Sequence, residues 1–344
     1  MLADTAGRVE FVVGVDTHRD AHTLVVVDGV GRVRAEFVVS ASRAGYAEAL
    51  RFADRHAPVR LWAVEGSGSY GAGLVRYLID RGERVREVER PTRRGREARL
   101  KSDLLDARRA AQHVVSGGGS TPRQSAEGEA LRLLVRTRES AVTQRTEATN
   151  QLRAAIVTAP DPLRERLQGL TRPALVAACV KLKPRPGDPA EAAFTLAVRG
   201  LARRIRELTN EADQLQEAIH RRLKDKHSAL LERPGIGPIV AAQVVISWSH
   251  HGRLQSEACF ARLAGVAPIP AQSGQTSHHR LDRGGDRHLN RALHTLALCL
   301  ARTDPRTQRF LAERTARGKT RREAIRLLKR YLARSIYRQL EAAT

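Results

Sequence analysis

Two β-branched runs near the N-terminus constrain the fold of this chain more than any other feature. In FVVGVDTHRDAHTLVVVD, Phe11 to Asp28, each run has the length and composition of a strand, and the segment from Asp16 to His22 is short enough for a hairpin. A third run, RVRAEFVV, follows the turn residues Asp28-Gly29 to Gly31. Three runs with tight connections predict an antiparallel meander.

The next segments alternate helical and β patterns. Helices are predicted from about Arg43 to His56 and from about Gly71 to Asp80, and strands in VRLWAVE and RVREVE. β-α-β units add parallel strands to a sheet, so the sequence predicts a mixed sheet of the ribonuclease H type. A basic loop, RPTRRGREARLK, then leads into a helix near Ser102, which ends at Gly117-Gly118-Gly119. We predict that residues 8–118 form this first domain.

Residues 119–227 have a different, helical character. Apolar residues at spacings of three and four mark one long amphipathic helix from Leu131 to Ala155 and another from Leu201 to Leu223. The Pro-rich segment KLKPRPGDP separates them, which predicts a coiled-coil hairpin. An internal helical pair and an oligomerisation element both fit this pattern.

Residues 228–344 are predicted to form a third, helical domain, so the fold class is α/β plus all-α. In ERPGIGPIVAAQVV, the turn containing Gly235 and Gly237 precedes a helix, as in a helix-hairpin-helix, whose exposed backbone N–H groups can hold a phosphate. A simple turn between two helices also fits. The segment from Arg314 to Arg338 has a helical pattern and contains ten Lys or Arg residues but one Glu, which indicates binding to a phosphate backbone.

The charge of the chain indicates a polyanionic partner. Among 344 residues, 60 Lys and Arg against 37 Asp and Glu give a net charge of +23. Neutralising phosphates releases counterions, so nucleic acid is the economical partner, although a genome rich in Arg codons also produces such a bias. Only 4% of residues are aromatic, which argues against base stacking as the main binding mode. The predicted nucleic-acid contacts are Arg93, Arg94, Arg96, Lys101, Gly235, Gly237, Arg280, Arg283, Arg287, Arg321, Arg322, Lys329 and Arg330.

Other classes of protein find little support. No window approaches the length of apolar sequence that a membrane span needs, and the N-terminus lacks the pattern of a signal peptide, so we expect a cytoplasmic protein without a membrane partner. Cys179, Cys259 and Cys299 lie far apart without metal-ligand spacing. They predict neither a disulfide framework nor a zinc site.

Four carboxylates stand where such a sheet can bring them together. Asp16 interrupts the first buried strand, Glu65 closes VRLWAVE, and Asp103 and Asp106 lie three apart on one face of a helix. A buried carboxylate is costly unless a cation or hydrogen bonds satisfy it, and four acids around one point fit hard divalent cations such as Mg²⁺. Taken singly, each acid also fits a cap, an arginine pair or a helix N-terminus. Two ions about 3.5–4 Å apart would clamp the attacking and leaving oxygens of a phosphodiester.

A second group of residues lies in GVAPIPAQSGQTSHHRLDRGGDRHLNRAL, from Gly265 to Leu293. Ser273 precedes Gly274 in a polar loop, with Arg280, Arg283 and Arg287 after it. A serine hydroxyl is a poor nucleophile until a base or a metal ion activates it. On the residues alone, an ordinary Ser-Gly turn is the better interpretation.

Both groups of residues resemble one known family. VVGVDTHRDAHTLVVVD, WAVEGSGSYGAGLVRYL, KSDLLDARRAA, ERPGIGPIVAAQVV and FARLAGVAPIPAQSGQTSHHRLDRGGDRHLNRALH are similar to segments of the insertion-sequence 110 transposases, in the same order and from about Val9 to about Leu340. The resemblance implies a RuvC-like domain with an Asp-Glu-Asp-Asp metal set, a coiled coil, and a C-terminal transposase domain with a serine nucleophile. Asp16, Glu65, Asp103 and Asp106 match the metal set, and Ser273 matches the nucleophile.

The resemblance predicts an RNA-guided DNA recombinase. In that reading Ser273 attacks the scissile phosphate with Mg²⁺ at the acidic set, and a structured noncoding RNA directs the enzyme to donor and target DNA. Because two duplexes must be held together, we expect a homodimer or homotetramer. The alternatives are a RuvC-like metal-dependent nuclease without a covalent intermediate, and a non-catalytic nucleic-acid-binding protein.

Overall fold

The structure, a computed structural model, describes residues 2–4, 7–88, 102–123, 126–183, 188–273, 276–280, 282 and 284–342. The chain forms two compact units, of which the first comprises Met1–Ser125 with Ser249–Gln255. The second comprises Ala126–Trp248 with Ser256–Thr344. The predicted division into three domains, at 118 and 227, stays a prediction.

A five-stranded sheet forms the centre of the first unit. Its strands are β3 (Phe11–Thr17), β4 (Ala21–Asp28), β5 (Val33–Ser40), β6 (Arg60–Glu65) and β7 (Val85–Val88), in the spatial order β5-β4-β3-β6-β7. β3, β4 and β5 pair antiparallel, whereas β6 and β7 extend the sheet in parallel. The predicted meander and mixed sheet are therefore confirmed. A small antiparallel pair, β1 (Leu2–Asp4) and β2 (Gly7–Val9), precedes the sheet and was not predicted.

Helices cover both faces of this sheet. α1 (Arg43–His56) and α2 (Ala72–Ile79) pack on the face that carries Val13 and Val15, and α3 (Asp103–Val115) packs on the face that carries Val12. Successive residues of a strand point to opposite faces, so Gly14 and Asp16 lie on the same side as Val12, towards α3. On β6, Leu61, Ala63 and Glu65 follow the same alternation. Asp16 and Glu65 therefore lie on the α3 face.

Two long helices dominate the second unit, as the sequence predicted. α4 (Ala126–Val157) and α7 (Pro189–Leu231) pack along each other. Two short helices that were not predicted, α5 (Asp161–Leu167) and α6 (Arg172–Val180), stand between them in sequence and share a core with Leu152 of α4 and Ile205 of α7. Whether the long pair also joins two chains stays a prediction.

The rest of the second unit is mostly helical. α8 (Pro238–Trp248) is apolar and buried on all sides from Val240 onward. It is followed by α9 (Glu257–Leu263), the strands β8 (Ile269–Ser273) and β9 (Thr276–Arg280), and the helices α10 (Arg287–Thr303), α11 (Pro305–Ala316) and α12 (Arg321–Ala342). No helix in the described ranges is long and apolar enough to cross a membrane.

Candidate metal centre and the second constellation

Asp16 and Glu65 lie at the ends of neighbouring parallel strands. In the register of β3 and β6, Val15 stands opposite Val64, so the acids are the next residue on each strand. Both are buried, with 4% of Asp16 and 7% of Glu65 exposed to solvent. The Thr17 hydroxyl donates a hydrogen bond of 2.9 Å to the Glu65 carbonyl oxygen, which ties the two strand ends together.

Small residues bring the helix with the other two acids onto this strand. A Cβ atom at Gly14 would lie 2.0 Å from the Ala107 carbonyl oxygen and 2.8 Å from Cβ of Ala111, so β3 and α3 touch backbone to backbone. Asp103 and Asp106 continue the stripe of α3 that buries Ala107, Ala110 and Ala111 on the sheet, because positions three and four apart share a helix face. The two acids therefore reach past the strand ends towards Asp16.

Asp16 and Asp103 meet through a histidine that sequence reasoning missed. The His18 Nε2 atom lies 3.2 Å from Asp16 Oδ2 and 3.3 Å from Asp103 Oδ1. One ligand atom from each of these residues lies within 4.8 Å of the other two. The signal in the sequence was the position of His18 two residues after Asp16, directly beyond the end of β3.

The electrostatics of Asp16 are those of a carboxylate that lacks a full counter-charge. Burial raises the pKa of Asp16 above its ordinary value, and the nearby Asp103 and Asp106 raise it further, against an opposing effect of His18. Asp106 lies 3.1 Å from a guanidinium nitrogen of Arg109, one turn along α3. At Asp16, burial and the two neighbouring acids therefore outweigh the effect of His18, and the pKa stays raised.

This donor set fits a divalent cation. Oxygen ligands of high negative charge suit hard ions such as Mg²⁺, Ca²⁺ and Mn²⁺, whereas imidazole suits softer transition metals. Asp103 and Asp106 raise the pKa of Asp16, and Glu65 ends the adjacent strand on the same face. The cluster thus suggests a divalent metal site, with His18 either as a ligand or as a hydrogen-bond partner of the carboxylates.

Ser273 lies on a hairpin rather than in the loop that the sequence predicted. It is the last residue of β8 and pairs with Thr276, the first residue of β9, across residues 274–275, which are outside the described part of the chain. The expected loop is wrong because Ile269 to Arg280 pairs in register from end to end. The acidic set belongs to the first compact unit and Ser273 to the second.

The residues predicted to contact nucleic acid lie in several different parts of the structure. Gly235, with φ at +80°, lies in the turn between α7 and α8, where an added Cβ would lie 3.0 Å from Leu296 and 3.3 Å from Leu300 of α10, and Gly237 directly precedes α8. Arg280 is the last residue of β9. Arg93, Arg94, Arg96, Lys101 and Arg283 lie outside the described residues. One cavity of the second unit is lined by the other five, Arg287, Arg321, Arg322, Lys329 and Arg330.

Two family models match this chain, one over the region with the four acids and one over the region with Ser273. Residues 13–159, which include the four acids, match the family model of the DEDD transposase of IS110 elements. Residues 227–312, which include Ser273, match the model described as the transposase IS116/IS110/IS902 family. An uncharacterized 43.6 kDa protein of insertion element IS110 from Streptomyces coelicolor is 30% identical over 116 residues, which are 33% of this chain and 29% of that protein.

The aligned segment thus spans less than a third of that relative's length. The two family models, however, match separate regions in the order that the motifs predicted, and Asp103 and Asp106 of the first region lie close enough to Asp16 to raise its pKa. The chain belongs to the IS110 family of transposases.

Proposed function

We propose that this protein is a DNA recombinase of an insertion sequence, which cuts and rejoins DNA through a phosphoserine intermediate. The observation that carries the proposal is the position of Asp16, His18 and Asp103 around one point, at the end of the sheet where Glu65 also ends its strand. A group of partly buried carboxylates in which burial and acidic neighbours raise the pKa of one member is a typical site for catalytic metal ions.

Mg²⁺ held by Asp16, Glu65, Asp103 and Asp106 would supply positive charge where negative charge develops on the phosphodiester. Ser273 is the proposed nucleophile. Its hydroxyl oxygen forms a bond to phosphorus and gives up its proton, while the bond from phosphorus to the leaving oxygen breaks and that oxygen becomes a hydroxyl. The phosphoserine ester keeps the bond energy, so attack by another DNA hydroxyl rejoins a strand and restores the serine without ATP.

The proposed partners follow from charge and from family membership. The net charge of +23 suits donor and target DNA, and a structured noncoding RNA is the proposed guide. Recombination of two duplexes requires several active sites at once, so we propose a homodimer or homotetramer in which α4 and α7 form the contact. Light scattering that shows a monomer in the cleavage-competent complex would contradict the oligomer.

The decisive experiment looks for the covalent intermediate. Wild-type protein with guide RNA, cognate DNA and Mg²⁺ should leave DNA attached through a phosphoserine that resists heat and detergent. Ser273→Ala should leave no such adduct, whereas Ser277→Ala, a change on the neighbouring strand, should preserve it. Free DNA ends from Ser273→Ala, with no adduct from wild type, would establish a metal-dependent nuclease in which water attacks.

The acidic set has its own test. Asp16→Asn should abolish cleavage and leave RNA and DNA binding nearly intact, because it removes a metal ligand without touching the basic surface. Asp103→Asn should lose less if that exposed acid contacts the ion through water. Intact binding by Asp16→Asn separates the loss of a metal ligand from a folding defect, and full cleavage by this variant in Mg²⁺ would refute the metal assignment.

A further inference from the structure

A basic cavity lies in the second unit, between α10, α12 and residues 265–268. Its volume is about 1160 Å³, and seven Lys or Arg residues line it against two carboxylates. One of the two, Glu323, is already engaged, since its Oε2 accepts hydrogen bonds of 2.8 and 2.9 Å from the backbone N–H and the hydroxyl of Thr320 at the start of α12. The cavity is therefore strongly positive.

Lys329 is the most deeply buried cation of the cavity wall. Only 8% of the residue is exposed, and its Nζ atom donates a hydrogen bond of 2.6 Å to Asn290 Oδ1. An ammonium group has three N–H donors, and a neutral amide oxygen supplies no counter-charge. Burial, with repulsion from Arg326, lowers the pKa of Lys329. The side chain thus has capacity for an anionic partner.

The next residue, Arg330, also has a hydrogen-bond donor without a partner. The Nη1 atom of Arg330 is buried and has no hydrogen-bond partner among the described residues. Buried donors without partners are rare in folded proteins because each costs the free energy of its lost hydration. Two adjacent cationic side chains with unfilled donors, on the wall of one cavity, point to a ligand that brings negative charge and several acceptor oxygens.

Asn290 connects this wall to the hairpin that carries Ser273. Its Nδ2 atom donates hydrogen bonds of 2.7 and 3.2 Å to the carbonyl oxygens of Ala264 and Gly265. Residues 265–268 line the cavity and lead directly into β8. The amide of Asn290 thus holds Lys329 on one side and the start of the hairpin segment on the other.

We propose that this cavity binds a phosphate group of a nucleic-acid backbone, with Lys329 and Arg330 as its ligands and Asn290 as a positioning residue. A phosphodiester offers two non-bridging oxygens, which share one negative charge, to the unfilled donors, and Arg guanidinium groups bind it through paired N–H groups. The cavity is larger than one phosphate, and Arg321 and Arg322 at its wall are exposed, which suits the adjoining phosphates of a polymer. The proposal rests on the proposed function only for the nature of the polymer.

Binding without chemistry tests the site. Fluorescence anisotropy with labelled DNA and RNA oligonucleotides, in EDTA so that cleavage is absent, gives the slope of log affinity against log salt concentration. Lys329→Met and Arg330→Gln should each reduce that slope by about one unit, and the double variant by about two. Lys329→Arg should retain the wild-type slope. The matched control is Arg309→Gln, an exposed residue of α11 outside the cavity wall, which should leave the slope unchanged.

Each result of this experiment either supports or overturns the proposed phosphate site. A slope change with DNA alone, RNA alone or both identifies the polymer and supports the site. Lys329→Met and Arg330→Gln variants that bind like Arg309→Gln would overturn it, as would inorganic pyrophosphate that raises the wild-type Tm while oligonucleotide binding ignores both substitutions. If Lys329→Met fails to fold, Arg330→Gln carries the test. Ser273→Ala must bind like wild type, so loss of the covalent adduct leaves this inference untouched.

Discussion

Replacing Gly14 by alanine tests how the acidic cluster is assembled. The added Cβ would lie 2.0 Å from the Ala107 carbonyl oxygen, a distance at which Cβ atoms essentially never occur, since they stay beyond 3.0 Å. The obstacle is backbone on both sides, so no side chain can rotate away. Restoring an allowed contact requires α3 to move from β3 by about 1 Å.

That displacement has two expected consequences. Overpacking of this kind destabilises a protein by about 1–3 kcal/mol. Asp103 and Asp106 also move with α3, away from Asp16, and a misplacement of about 1 Å in a catalytic site costs about 100-fold in rate. Isothermal titration calorimetry with Mg²⁺ and Mn²⁺ should show weaker binding in Gly14→Ala even where chemical unfolding shows the protein folded.

The control is Gly29→Ala, in the turn after β4. A Cβ there would meet only the Glu10 carbonyl oxygen, at 3.8 Å, which is ordinary contact. This variant should keep the stability and the metal affinity of the wild type. Wild-type metal affinity in Gly14→Ala would refute the view that close packing of α3 on β3 assembles the site, and equal losses in both variants would point to a general effect of removing glycine.

Two predictions concern titratable groups outside the candidate centre. Hydrogen bonds from the backbone N–H groups of Arg32 and Val30 and from the Arg34 side chain hold the pKa of Asp28 below its usual 3.8. The ionised Asp28 side chain therefore stabilises the folded protein above about pH 3.8. This stabilisation is lost as the pH falls through the lower pKa of the folded state. The Tm difference between wild type and Asp28→Asn should therefore shrink from about pH 7 to about pH 3, and a constant difference would contradict this. Burial raises the pKa of the Cys179 thiol to about 11, so iodoacetamide at about pH 8 should label the exposed Cys259 first and Cys179 only after unfolding, and equal labelling rates in the native protein would contradict the burial.

The sequence predicted the sheet well because its signals are local. β-branched runs and the turn residues around Gly29 specify the meander, and the helical spacings from Leu131 and from Leu201 specify α4 and α7. α5 and α6 were missed because they are short, and their apolar residues Leu167 and Leu175 are buried by tertiary packing rather than marked by a long period. The hairpin at Ser273 was missed because Pro270 and Gly274 read as loop residues.

In the candidate sites, too, the local features were predictable from the sequence and the tertiary contacts were not. The order of the acids was visible in the sequence, and so was the pairing of Asp103 with Asp106 on one helix. The approach of Gly14 to Ala107 was not, since the two are far apart in the chain. The basic segment from Arg314 to Arg338 was predicted to contact a phosphate backbone as a whole, whereas the structure buries Lys329 against Asn290 and leaves Arg321 exposed. Helical periodicity alone cannot distinguish a buried lysine from a solvated one.

Buried charge of opposite sign in the two units links the proposals. Burial disfavours the ionised form of Asp16 in the first unit and of Lys329 in the second, as their opposite pKa shifts show. Each unit on its own retains an ionisable group at a cost that a hydrophobic residue would avoid. A divalent cation would compensate the buried charge of Asp16, and a phosphate anion would compensate that of Lys329.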